Sequence, residues 1–86
     1  MGLDGVAIVM AIEERFGITI SDAEVEQCVT PAILVDLVLG KLATKSGSWT
    51  RQGVAEMVKQ ITIEQLGLKE SRYREDARFV EDLGVD

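Results

Sequence analysis

The 86-residue chain contains no histidine and a single cysteine, Cys28. With one cysteine and no histidine, the common zinc spacings and every imidazole-based acid, base or triad are excluded. One thiol rules out an internal disulfide and fits the reducing cytoplasm, which is the expected location. Aromatic residues are few, two Phe, one Trp and one Tyr, so Trp49 and Tyr73 read as packing anchors rather than as stacking platforms. No run approaches the ~20 apolar residues of a membrane span, and no basic-then-apolar leader opens the chain. A soluble protein is expected. The start Met1-Gly2 lacks the hydroxyl residue that myristoylation requires at position six, which is Val6. Basic residues are also scarce: 9 Lys and Arg against 15 Asp and Glu give a net charge of −6. That balance disfavours nucleic acid, whose binding relies on cations displacing counterions, and favours basic protein surfaces as partners.

The 47% of apolar residues is enough for one small core, and its periodicity is helical. Leu3, Val6, Val9, Met10, Ile12 and Phe16 recur at helical spacing from about Leu3 to Arg15, with Gly17 as terminator and Asp4 at the positive end of the dipole. Ser21 and Asp22 then cap a short helix of about Ala23 to Gln27, with Glu24 placed as the acid of a capping box. Thr30-Pro31 starts a third helix, whose stripe is Ile33, Leu34, Leu37, Val38 and Leu42. Residues 43–48, Ala-Thr-Lys-Ser-Gly-Ser, lose all periodicity and read as a flexible linker. Thr50 caps a fourth and longest helix, marked by Val54, Met57, Val58, Ile61 and Leu66 and ended by Gly67. The rest, with Tyr73, Phe79, Val80, Leu83 and Val85 among charges, reads as a long loop pinned to the core, with a helical turn near Phe79 to Leu83. The expectation is an all-α single domain over residues 1–86: three helices in 1–42, the linker, then the fourth helix and anchored loop in 49–86.

Read tail to head, Phe79-Val80-Glu81-Asp82-Leu83-Gly84-Val85-Asp86 runs into Gly2-Leu3-Asp4-Gly5-Val6-Ala7-Ile8-Val9-Met10, followed by Glu13-Glu14-Arg15-Phe16-Gly17-Ile18. The joined stretch resembles the acyl carrier proteins, in which a leucine-glycine-x-aspartate turn delivers a serine to the start of an acidic helix. Glu64-Gln65-Leu66-Gly67 and the acidic Asp22 to Glu26 turn extend the likeness to nearly all of the chain except the linker. The resemblance implies a small four-helix bundle in permuted order: the first three helices look like the family's second, third and fourth, and the last helix and loop look like the family's first. The linker would then join what are free ends in the family, at small entropic cost. Two architectures satisfy this, a permuted monomer and a helix-swapped homodimer. The monomer is expected, since six residues span roughly 20 Å.

The family attaches a phosphopantetheine arm to the serine hydroxyl, at a helix N-terminus whose amides favour an anion. Gly2 stands in that slot, between Asp86 on one side and Leu3 and Asp4 on the other, and residues 1–18 contain no serine, threonine, tyrosine or cysteine. No bound cofactor and no catalysis by the domain alone are therefore expected. If Met1 is removed, the Gly2 amine would fill the slot, and the terminus reads as inert; Cys28 reads as a small core hydrophobe. The family's docking surface, by contrast, is largely retained: Glu13, Glu14, Asp22, Glu24 and Glu26 lie on the matching helices, with Asp4, Glu81 and Asp82 nearby and Ala7 replacing a typical glutamate. The resemblance thus implies docking to basic surfaces of enzymes in fatty-acid, polyketide or related acyl metabolism. The alternatives are a genuine carrier of 4'-phosphopantetheine with an unusual acceptor or a partner's serine, and a structural dimerisation module.

Overall fold

A computed structural model describes residues 3–44 and 48–85. It has four α-helices, α1 (Leu3–Phe16), α2 (Asp22–Gln27), α3 (Pro31–Ala43) and α4 (Arg51–Leu66), one 3-10 turn at Glu70–Arg72, and no strand among the described residues. The helix starts follow from side-chain caps that satisfy otherwise orphaned amides. Ser21 Oγ accepts from Glu24 N–H while Glu24 Oε1 accepts from Ser21 N–H, a complete capping box. Thr30 accepts from Ile33 N–H with Pro31 in the first turn, and Thr50 accepts from Gly53 N–H. α1 and α4 stop at glycines: Gly17 and Gly67 adopt φ of 65° and 64°, a left-handed conformation that carries a Cβ penalty in other residues. Ile18 N–H then closes back on the Glu13 carbonyl, and Leu68 N–H on that of Ile63.

α4 packs against both α1 and α3 of its own chain. Val54, Val58 and Thr62 form its buried face; Ile8, Ile12 and Phe16 come from α1, and Leu34, Val35, Val38 and Leu42 from α3. Trp49 closes the end of the bundle edge-on to Phe16, with ring centroids 5.0 Å apart. Residues 68–85 are tied down by backbone bonds rather than by regular structure. Ala32 N–H donates to the Glu75 carbonyl and Phe79 N–H to that of Val29, while Ala77, Phe79, Leu83 and Val85 are buried. The turn expected near Phe79 to Leu83 is present, and the 3-10 turn at Glu70–Arg72 is an addition to the sequence expectation.

The buried face of α1 differs from the sequence expectation. At 3.6 residues per turn, Leu3, Val6 and Met10 fall on the side roughly opposite Ile8, Ile12 and Phe16, and they are 86%, 48% and 54% exposed. α1 is apolar on two sides, and only one of them meets the rest of the bundle. Val35 and Thr62, absent from the expected stripes, are fully buried.

Candidate docking face on α1 and α2

The exposed side of α1 and the adjacent α2 form an open groove of about 450 Å³. Val6, Val9 and Met10 supply its apolar floor from α1, and Ile20 and Val25 supply it from the α2 side; Glu13, Asp22 and Glu26 stand along it. Leu3 continues the exposed apolar stripe toward the start of the helix. In the sequence, Leu3, Val6 and Met10 are periodic apolar positions like any others, with nothing to assign them to a surface. The signal that separates them is tertiary: α4 occupies the other side of α1.

The five acidic residues expected to form a docking surface divide by role. Glu14, Asp22 and Glu26 are exposed and make no ion pair or side-chain hydrogen bond among the described residues. Glu13 is partly committed to the fold, because its Oε2 accepts from Ile20 N–H at 2.8 Å and so fixes the turn after α1. Glu24 is the most committed. Besides the capping box, its Oε2 meets Lys41 Nζ on α3 at 3.0 Å. The Ser21 amide, then Lys41, hold its carboxyl below the usual value. Glu81 pairs with Arg78, and Asp82 accepts from Arg78 N–H, so both stabilise the final turn.

Of the positions expected around the attachment point, Gly2 and Asp86 lie outside the described residues. Leu3 is exposed and Asp4 half-buried in the first turn of α1. Val85, next to Asp86, is buried, with its N–H on the Phe79 carbonyl.

Behind the groove is a much smaller apolar cavity, of about 10 Å³. Ile8 and Val9 of α1, Leu34 of α3 and Phe79 of the loop form its walls, and Ile20, Val25 and Cys28 close it from the α2 side. That volume holds about one water-sized sphere. The Cys28 thiol is buried and donates to the Glu24 carbonyl at 3.3 Å; burial, with Glu24 adding to it, pushes its pKa up. A protonated, sheltered sulfur is a poor nucleophile, in keeping with the reading of Cys28 as a small core residue.

Among the described residues, no group of three Cys, Asp or Glu side chains is arranged to hold a metal ion, and no helix is long and apolar enough to cross a membrane. No family model matches the chain. No solved structure matches it either.

Proposed function

We propose that this chain is an acyl-carrier-like docking domain that engages basic surfaces of enzymes handling acyl chains in fatty-acid, polyketide or related acyl metabolism, without itself bearing a pantetheine arm by the usual route. The observation that carries the reading is the pairing of an exposed apolar stripe, Leu3, Val6 and Met10, with the carboxylates of Asp22 and Glu26 along the groove and of Glu14 one turn beyond Met10, all three unpaired among the described residues. Apolar side chains left in water at the centre of a groove are stabilised by a partner that covers them. Free carboxylates around them raise the encounter rate with a cationic partner and select against an acidic one. The permuted likeness to carriers supplies the partner class, and Gly2 in the serine position accounts for the absence of an arm.

The test is titration of the chain into a phosphopantetheinyl transferase or a ketosynthase at low and raised ionic strength. Binding is expected to weaken about tenfold or more between roughly 50 and 300 mM salt, as exposed charge pairs become screened. Met10→Ser, at a position that contributes little to the core, is expected to weaken it further. Incubation with coenzyme A and the transferase is expected to leave the mass of the chain unchanged. Absence of binding, or binding indifferent to both salt and Met10→Ser, would overturn the proposal, and a gain of mass would identify a true carrier.

A further inference from the structure

We infer that α2 is a latched lid over the apolar cavity, with the Glu24–Lys41 pair as its latch; this goes beyond the docking proposal and stands independently of it. A helix of six residues is far below the length at which a helix sustains itself. α2 also contributes no fully buried residue, and Val25 is its half-buried contact with the core. Its order therefore depends on tethers, and these converge on Glu24. Oε1 of that residue holds the Ser21 amide at 2.9 Å, Oε2 holds Lys41 of α3 at 3.0 Å, and its carbonyl receives the Cys28 thiol at 3.3 Å.

What lies beneath gives the latch a consequence. Val9, Ile20 and Val25 line both the inner cavity and the outer groove, so they are the wall between the two. Val25 moves with α2, whereas Ile20 stays tied to α1 by the Glu13 carboxylate. Lifting α2 joins the cavity to the groove and uncovers the side of Cys28 that α2 covers. Segments with few buried contacts are the ones that open without global unfolding.

Cys28, the only cysteine, reports the opening directly. The experiment is the alkylation rate of Cys28 by iodoacetamide in the intact chain under native conditions, alongside the urea unfolding midpoint. Lys41→Met keeps the aliphatic stem and removes the ion pair; Ser21→Ala removes the cap from the other side of Glu24. Each is expected to accelerate alkylation about two- to fivefold, the range set by loss of a partly exposed ion pair or cap, with a correspondingly small fall in the urea midpoint. Lys59→Met breaks a comparable pair, Lys59–Glu70 at 2.9 Å, away from α2 and is expected to leave the rate unchanged. Unchanged rates in both lid variants would overturn the inference. Equal acceleration in Lys59→Met would do so too, because Cys28 would then be reached through global unfolding.

Discussion

Replacing Thr62 by valine is expected to stabilise the protein. Thr62 is fully buried on the face of α4 that enters the core, and its hydroxyl has no hydrogen-bond partner among the described residues. A buried hydroxyl without a partner costs about 1–3 kcal/mol of desolvation that nothing offsets. Valine has nearly the same shape and almost the same helix propensity, so the exchange removes the polar atom without leaving a cavity or altering the helix. Taking the lower end, a gain of about 1 kcal/mol corresponds to a rise of roughly 4–8 °C in Tm for a domain of this size. Thr62→Ser separates the causes. It keeps the hydroxyl and deletes a methyl, at a cost of ~0.8 kcal/mol for the lost transfer term plus the void left behind. Thermal unfolding followed by circular dichroism, with urea titrations in parallel, measures all three proteins. If Thr62→Val is neutral or destabilising, the hydroxyl is satisfied in solution and the predicted gain is refuted; if Thr62→Ser equals the parent, the methyl is not packed as described.

Two glycines should respond to alanine with opposite signs. Gly67 is held at φ 64° with open space where a Cβ would stand, so Gly67→Ala meets backbone strain alone and should lose about 1–2 kcal/mol in urea unfolding. Gly40, inside α3 with nothing within 4 Å of an added Cβ, should gain about 0.5–1 kcal/mol on the same change. Glu24 sets a pH dependence. Its folded pKa is lowered, first by the Ser21 amide and then by Lys41, so its contribution is fully present above the usual carboxylate value of 4.5 and is lost as pH falls through the folded value. The urea midpoint of Glu24→Gln should therefore lie below that of the parent at pH 7, and the gap should close as pH falls through the lowered folded value of the carboxyl; a gap that persists once that carboxyl is protonated would contradict the assignment.

The parts of the fold legible in the sequence are those encoded locally. Ser21 with Glu24, Thr30 with Pro31, and Thr50 each announce a helix start through bonds reaching three residues, and Gly17 and Gly67 announce ends through their own φ. The 3-10 turn at Glu70–Arg72 has no side-chain cap, and nothing local distinguishes it from irregular loop. Periodicity locates α1 but not its inner side, because Leu3, Val6 and Met10 are as apolar as Ile8, Ile12 and Phe16. Which stripe is covered depends on where α3 and α4 pack. The same limit applies to the candidate site. The capping role of Glu24 is readable from its spacing to Ser21, whereas its pairing with Lys41 and the bond from Ile20 to Glu13 depend on the chain folding back. Hence the acidic residues are legible in the sequence as a group, and their division into structural and free carboxylates requires the structure.

In the proposed function, partners cover the α1–α2 face. Backbone amide chemical shifts of the labelled chain, followed during titration with a basic carrier-modifying transferase, test this most directly. The largest changes are expected at Val6, Met10, Glu14, Asp22 and Glu26, with α4 and residues 69–78 little affected. Changes concentrated on α4 and that loop, or no changes at saturating enzyme, would contradict it.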